Sequence, residues 1–269
     1  MSDSWYKVDN VAKVFLATAS QRDPRVFRIS CTLNEEIDPD TLNEALRSTA
    51  QEWPQFQVTL HRGLFWHYFE STDQLPTAQP ENKAPCAPLY TPERRNRLIY
   101  RVTYFGSRIN LEMFHAITDG NGGLLYLKSI VRNYLALRHP GELDSVPSPN
   151  SASAGDLAQD SFRTFYGGTK RDTVAKKVKV YRLHGLRLPY NQQQFFEGHL
   201  SAKQVLDRCH ALGVSMTSYL SASFMLAIYQ DMPALERSKP ISISLPVNLR
   251  NYYPSETARN FFNSVCIAH

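Results

Sequence analysis

Near the middle of the chain, the pattern of apolar and polar residues predicts a strand that leads directly into a helix. Apolar side chains alternate with polar ones at Ile109, Leu111 and Met113, as on a half-buried strand. After Gly123, apolar residues recur at three- and four-residue spacing, as on one face of a helix; they are Leu124, Leu125, Leu127, Ile130, Val131, Tyr134 and Leu135. Residues 115–123 therefore form the turn between the two elements, and three of them are glycines.

The same reasoning predicts further strands and helices on both sides of this turn. Before it, the predicted elements are strands at 26–33 and 98–105, a helix capped by Asp38, and a hairpin at 56–60 and 64–70. After it, they are strands at 178–188, 195–200, 241–247 and 260–269, and helices from Ser201 and from Thr217 or Ser218. This mixture predicts the α+β class, with a mixed sheet and flanking helices.

Composition divides the chain into two predicted subdomains. Residues 141–160 are rich in Pro, Ser, Ala and Gly, as linkers between compact regions are. We therefore predict an N-terminal subdomain at 1–140, a linker or crossover at 141–160, and a second subdomain at 161–269. Residues 71–97, which contain five prolines, are predicted to be a surface excursion of the first subdomain.

Length and composition indicate a globular protein. The 269 residues are 42% hydrophobic, which is enough for one large or two modest domains. No apolar run is long enough to cross a bilayer, and the first residues lack the pattern of a signal peptide, so we expect a cytoplasmic protein. The four cysteines are widely spaced, which favours buried free thiols over zinc or disulfides; they are Cys31, Cys86, Cys209 and Cys266.

The turn carries one residue suited to proton transfer near neutral pH, His115. Facing a cleft, its imidazole could take the proton from a hydroxyl, amine or thiol; the alternative is a histidine buried at the end of a core strand. Asp119 suggests a His–Asp relay. An aspartate at a helix start, however, more often caps the helix or pairs with an arginine, and we favour that structural role.

Other catalytic chemistries lack a motif in this sequence. No second His or Cys lies at metal-ligand spacing from His115, so we expect no metal site. There is no G-x-S-x-G motif, no cysteine near the turn, and no P-loop or dinucleotide-binding fingerprint. General base catalysis without a covalent enzyme intermediate is the chemistry that remains.

The segment Phe114–Gly120 resembles the H-x-x-x-D-G signature of the chloramphenicol-acetyltransferase-like superfamily. This group includes plant BAHD acyltransferases, peptide-synthetase condensation domains, polyketide-associated acyltransferases and alcohol acetyltransferases. The segments 245–250 and 260–262 resemble the corresponding strand and turn of the alcohol-acetyltransferase-like branch. The resemblance covers most of the chain and implies a two-layer α/β sandwich.

The resemblance also implies an activity and roles for four residues. His115 would be the general base that deprotonates a small hydroxyl-bearing acceptor, which then attacks an acyl thioester, usually acyl-CoA. Asp119 would be structural and paired with an arginine, for which Arg250 is the candidate because it ends the strand expected beside the motif. Gly120 would support the turn. Acyl-CoA would be a co-substrate, and no tightly bound cofactor is implied.

Two departures from the superfamily pattern keep other interpretations open. Condensation domains usually have a second histidine just before the catalytic one, where this chain has Phe114; this favours a free-standing acyltransferase over peptide-bond synthesis. Members are also substantially longer, and no D-F-G-W-G motif occurs here, so we expect the second subdomain to be incomplete. The alternatives are an acyltransferase that takes its donor from a carrier protein, and a non-catalytic module with this fold.

A cationic segment between Arg163 and Arg187 holds eight Lys and Arg residues and one acid, Asp172, so its own net charge exceeds the +5 of the whole chain. Its cations could bind the phosphates of CoA; the weak candidates are Lys170, Arg171, Lys176 and Lys177. A solvated linker face is the interpretation that we favour. We expect no nucleic-acid binding, because aromatic residues are not interleaved with these cations.

Overall fold

The computed structural model describes residues 5–64, 66–91, 96–143, 152–168, 179–186, 188–189 and 194–269. The chain divides into two compact units. The first contains residues 1–167 and 249–261, and the second contains residues 168–248 and 262–269. Residues 249–261, although late in the sequence, therefore belong to the first unit. The boundaries of the predicted linker, of which residues 144–151 lie outside the described ranges, stay a prediction.

The first unit contains both sheets and helices, and the second contains two α-helices and an antiparallel pair of strands over the residues that are described. The first unit contains β1 (Trp5–Lys7), α1 (Asn10–Thr18), β2 (Val26–Thr32), α2 (Pro39–Glu52), β3 (Val58–Arg62), β4 (His67–Ser71), β5 (Gln79–Pro80), β6 (Tyr100–Phe105), β7 (Arg108–Phe114), α3 (Gly120–Arg138), α4 (Ala154–Ala158) and α5 (Ser161–Phe165). The second contains α6 (Ala202–Leu212), α7 (Met216–Asp231), β8 (Ser242–Asn248) and β9 (Phe262–Ala268).

The first unit holds two sheets, and the predicted strand of the motif is at the centre of the larger one. That sheet has the order β2-β7-β6-β5, in which β2, β7 and β6 are antiparallel and the short β5 is parallel to β6. The register places Val26 opposite Phe114, so the β2–β7 ladder ends one residue before His115. The second sheet, β1-β4-β3, is antiparallel and contains the predicted hairpin.

Helices α2 and α3 pack against each other, and α3 also packs on β2 and β7. Asp38 caps α2, where its side chain accepts from the amide of Thr41 at 2.8 Å, and Pro39 occupies the first turn as the sequence predicts. The helices and sheet enclose a continuous apolar core. Its largest fully buried side chains include Trp53, Phe56, Phe69, Phe114, Tyr126 and Tyr134.

A buried ion cluster attaches the proline-rich excursion to the sheet. Glu112 on β7 is fully buried and pairs with Arg28 and Arg101 from the neighbouring strands. Its carboxylate also accepts from the amide of Cys86, and Glu81 pairs with Arg28 at 2.6 Å. Part of the predicted surface excursion is therefore held by buried charges, whose separation leaves an uncompensated ion and costs several kcal/mol.

The structure adds two elements near the start of the chain that the sequence pattern did not predict. The first predicted strand began at residue 26, but β1 and α1 precede it. Asp9 caps α1, and its side chain accepts from the amide of Ala12 at 2.7 Å. An aspartate directly before an apolar run is the signal that could have identified this helix.

Two predicted strands are wrong over the residues that the structure describes. Residues 195–200 form no regular element, and neither do residues 179–186 or 188–189 of the predicted strand 178–188; residues 178 and 187 lie outside the described ranges. An alternating apolar pattern does not by itself provide a neighbouring strand to which the backbone N–H and C=O groups can hydrogen-bond. Their large apolar side chains are accordingly exposed, with Phe196 at 86% and Leu183 at 68%.

Helices α6 and α7 of the second unit begin and end at recognisable caps. Ser201 caps α6 as predicted, and Gly213 ends it in the left-handed conformation with φ +64°. Ser215 caps α7, which begins at Met216, one residue before Thr217 and two before Ser218, the two predicted starts. Among the described residues, no single helix is long and apolar enough to cross a membrane. Helices α6 and α7 taken together have the length and composition of a membrane span, but the pair is bent by 92°.

The cysteines follow the predicted burial in part. Cys209 is buried, and Cys31 and Cys86 are half-buried. Cys266 is exposed, so the prediction of a buried thiol is wrong for that residue. It lies on β9, whose residues after Phe262 are exposed.

Candidate active site

His115 lies at the end of β7, where the β2–β7 ladder stops. Its backbone amide donates to the carbonyl oxygen of Arg25 at 2.8 Å, one residue beyond the last pair of the ladder. The imidazole is half-buried between two phenylalanine rings. Phe15 of α1 stacks on it with a centroid distance of 4.3 Å, and Phe27 of β2 lies at 4.6 Å with its plane tilted by 49°.

Burial lowers the pKa of His115 below its ordinary value of 6.5. The negative charge of Asp119 and hydrogen bonds with the Thr118 backbone and the Asn260 side chain act in the opposite direction, but burial is the larger effect. The imidazole is therefore neutral at pH 7. A neutral imidazole can accept a proton, as a general base must.

The carboxylate of Asp119 connects the start of α3 to the 249–261 segment. One oxygen, Oδ1, accepts from the amides of Asn121 and Gly122, both at 3.1 Å, and so caps the helix. The other, Oδ2, accepts from Nη1 of Arg250 at 2.8 Å and from the amide of Phe261 at 2.9 Å. The structure thus brings Asp119 and Arg250 together, and the carboxylate is occupied by the groups that shape the turn.

Arg250 also fixes the fold of its own segment. Its Nε donates to the carbonyl oxygen of Thr257 at 2.9 Å, and its Nη2 donates to that of Arg259 at 2.6 Å. The side chains of Arg250 and Asp119 are only 9% and 7% exposed. A planar guanidinium with several donors suits this arrangement, in which one side chain serves a carboxylate and two carbonyl groups.

Asn260 and Asp9 connect the histidine to the helix that stacks on it. Asn260 Nδ2 donates to the carbonyl oxygen of His115 at 2.9 Å and lies 3.4 Å from Oδ2 of Asp9, the N-cap of α1. Asp9 also lies 3.7 Å from Nη2 of Arg259. The backbone of His115, the start of α1 and the 249–261 segment are therefore linked by buried polar contacts.

Gly122 is required by the close approach of the 249–261 segment. A Cβ atom at this position would collide with the carbonyl oxygen of Ala258 and with Oγ1 of Thr118. Those two atoms are themselves hydrogen-bonded, since Thr118 Oγ1 donates to the Ala258 carbonyl. Gly122 thus permits a close backbone contact rather than a special backbone conformation.

The other two glycines differ in their surroundings. A Cβ atom at Gly123 would lie 2.8 Å from the Phe27 ring, so glycine lets that ring occupy its place beside His115. At Gly120 the same position is open space, although the resemblance implied a supporting role for this residue. Its location as the first residue of α3 therefore does not itself demand a glycine.

The candidate phosphate-binding residues Lys170, Arg171, Lys176 and Lys177 lie outside the described residues. In the part of the chain that is described, no group of three or more His, Cys, Asp or Glu side chains could hold a metal ion. The site as described consists of one imidazole, two aromatic rings and the polar contacts that hold them.

Sequence reasoning missed the residues that surround the imidazole. Phe15, Phe27 and Asp9 carry no motif, and their contacts with His115 or Asn260 depend on how the chain folds back on itself. Asn260 was noted as part of a resembling segment, but its bond to the histidine backbone was not foreseen. A pattern of periodic residues identifies elements; it does not identify which side chains meet across them.

A scan of the sequence against protein-family models finds no match, and neither does a search of the curated proteins. Solved structures do match it over nearly its whole length. Polyketide synthase associated protein 5 from Mycobacterium tuberculosis is 18% identical with a TM-score of 0.59, over 98% of this chain and 67% of that one. The starter condensation domain of the rhizomide synthetase RzmA, solved as a mutant with C8-CoA, is 12% identical with a TM-score of 0.59, over 98% and 66%.

The chain has the condensation-domain fold. This fold, also called chloramphenicol-acetyltransferase-like, confirms the predicted mixed α/β class with flanking helices. The SgcC5 protein from Streptomyces globisporus, solved with an aryl ethanediol and sucrose, is similar too: it is 16% identical with a TM-score of 0.60, over 98% of this chain and 68% of that one. The chain spans about two thirds of the length of these proteins.

We expect Gly122→Ala to destabilise the first unit by at least about 2 kcal/mol, because the added methyl group collides with backbone. Gly120→Ala is the matched control. It introduces the same atom two residues earlier into open space and should be neutral or stabilising by up to about 1 kcal/mol. Urea unfolding of both variants measures the difference. Equal effects of the two substitutions would contradict the contact assigned to Gly122.

We expect Arg250→Ala to lower the free energy of unfolding by about 3–5 kcal/mol, because Asp119 is left buried without its counterion. Arg163→Ala, at an exposed position in the same unit, should change it by less than about 0.5 kcal/mol. Thermal and urea unfolding compare the two. A loss of activity in Arg250→Ala with unchanged stability would count against a structural role for the ion pair.

Proposed function

We propose that the protein is an acyltransferase that moves an acyl group from acyl-CoA to a small hydroxyl-bearing acceptor, with His115 as general base. The observation that carries this proposal is the half-buried imidazole, which lies between Phe15 and Phe27 at the end of β7. Burial there lowers the pKa of His115, which favours the neutral form. A neutral imidazole is the protonation state that a base needs. Asp119 and Arg250, which brace the turn, are proposed as structural residues of the site.

In the proposed reaction, the imidazole of His115 takes the proton of the acceptor hydroxyl as its oxygen attacks the thioester carbonyl. A tetrahedral oxyanion forms, and its collapse breaks the carbon–sulfur bond. The departing thiolate takes the proton back from the imidazolium, which leaves the ester, the free thiol and the neutral histidine. No covalent enzyme intermediate and no tightly bound cofactor are needed.

Ligands in two similar structures support the choice of substrates. The condensation domain of rhizomide synthetase was solved with C8-CoA, and the SgcC5 protein was solved with a diol. An acyl thioester of CoA and a hydroxyl compound are the two reactants of the proposed reaction. We place the chain in the alcohol-acetyltransferase-like branch on the resemblance of segments 245–250 and 260–262, and we expect it to act in the cytoplasm.

The second candidate is a condensation or polyketide-associated acyltransferase that takes its donor from a carrier protein. A polyketide synthase associated protein and a condensation domain are among the similar solved structures, which favours this candidate. Phe114 counts against it, because condensation domains usually carry a second histidine there. Turnover with an acylated carrier protein and none with acyl-CoA would favour the carrier-protein donor.

We expect the wild-type chain, with acetyl-CoA and a panel of alcohols, to release free CoA and form an ester. His115→Ala should reduce the rate by at least about 100-fold, because it removes the base. His61→Ala is a matched control, since His61 lies on β3 and pairs with Glu70. Chromatography of CoA and ester gives the rates. Unchanged turnover in His115→Ala would overturn the assignment, and a wild type that binds acetyl-CoA without turnover would favour a non-catalytic module.

We expect kcat/KM to fall with decreasing pH only below 6.5. Burial lowers the pKa of His115 from that ordinary value, so the imidazole stays unprotonated, and able to accept a proton, down to a lower pH. Rates measured between about pH 5 and 8 locate this acid limb. An acid limb centred above pH 6.5 would contradict a neutral, buried base.

A further inference from the structure

A groove of about 640 Å³ lies between α1 and the start of the three-stranded sheet, in the first unit. Its volume falls in the range of small-molecule sites, roughly 300–1,000 Å³. Two tryptophans, two lysines, a leucine and a histidine contribute to its lining; they are Trp5, Trp66, Lys7, Lys13, Leu16 and His67. The mechanism proposed above uses none of these residues.

The tryptophans give the groove flat apolar surface that remains open to solvent. Trp5 and Trp66 are each 57% exposed, whereas the third tryptophan of the chain, Trp53, is 1% exposed in the core. The Trp5 ring is held edge-on against Tyr68 at 6.1 Å, and the Trp66 ring lies over Gly63. Two restrained indoles at one groove favour a flat partner, since aromatic rings gain energy from specific stacking as well as from burial.

The lysines give the groove a positive charge that the described residues do not neutralise. Lys7 and Lys13 form no ion pair in this part of the chain, and Nζ of Lys13 contacts the neutral Asn10 at 2.9 Å. Asp9, close by in sequence, is buried beside Arg259 instead. The charge of the groove therefore complements an anion.

The histidine of the groove adds no charge at neutral pH. Burial and the nearby Arg62 lower the pKa of His67 below its ordinary value, so its imidazole is neutral at pH 7. It supplies a hydrogen-bonding group beside the apolar walls. Leu16 of α1 adds an apolar side chain to the lining of the groove.

We propose that this groove is a binding site for a flat aromatic anion, with its rings against Trp5 and Trp66 and its carboxylate or other anionic group between Lys7 and Lys13. The site lies across α1 from His115, because the same helix presents Phe15 to the imidazole. It does not depend on acyl transfer, and it can be tested without an acyl donor.

Titration calorimetry of the whole chain with three probes tests the proposal. 2-Naphthoate combines flat rings with the charge, 2-naphthalenemethanol keeps the rings without the charge, and decanoate keeps the charge without the rings. We expect 2-naphthoate to bind at least about tenfold more tightly than either of the other two. Equal binding of decanoate or of the neutral alcohol would overturn the proposed ligand class.

Variants locate the binding in the groove. Lys7→Gln with Lys13→Gln, and separately Trp66→Leu, should each weaken 2-naphthoate binding by at least about fivefold. Lys128→Gln is the matched control, because Lys128 is an exposed lysine beside a different apolar groove on α3. The Lys128→Gln variant should bind the aromatic carboxylate with the affinity of the wild type. Binding that survives the groove variants but is weakened by Lys128→Gln would overturn the proposal.

Discussion

The buried ion pair between Asp119 and Arg250 is the interaction on which the candidate site depends. It joins residues 131 positions apart in the sequence, and each partner also shapes its own segment. Asp119 caps α3, while Arg250 binds the carbonyl groups of Thr257 and Arg259. A buried charge without its partner costs several kcal/mol. The conformations of the turn and of the 249–261 segment therefore depend on each other.

Asp119 opposes the effect of burial on the pKa of His115 but does not outweigh it. Asp119 favours a charged imidazole, but its carboxylate is already occupied by Arg250 and by three backbone amides. Burial between Phe15 and Phe27 is then the larger effect on the pKa. The carboxylate of Asp119 is thus bound by the groups that shape the turn, whereas the imidazole of His115 lies between the two phenylalanine rings.

The strand, the turn and the helix around His115 could be predicted from the sequence, because periodicity and an aspartate cap are local signals. It did not reveal α1 or the stacking of Phe15, since that contact depends on tertiary packing between segments 100 residues apart. The prediction of a strand at 195–200 was wrong although its local pattern was present. The described residues there form no β-strand. The pairing of Asp119 with Arg250 came from the resemblance and not from spacing.

Burial favours the neutral imidazole of His115 in the folded protein. A proton NMR titration of the wild-type chain, with the His115 signal assigned through His115→Gln, measures this pKa directly. The structure predicts a value below 6.5, because burial outweighs the charge of Asp119. A value at or above 6.5 would mean that the charge of Asp119 and the hydrogen bonds outweigh burial, and it would contradict a neutral, buried imidazole.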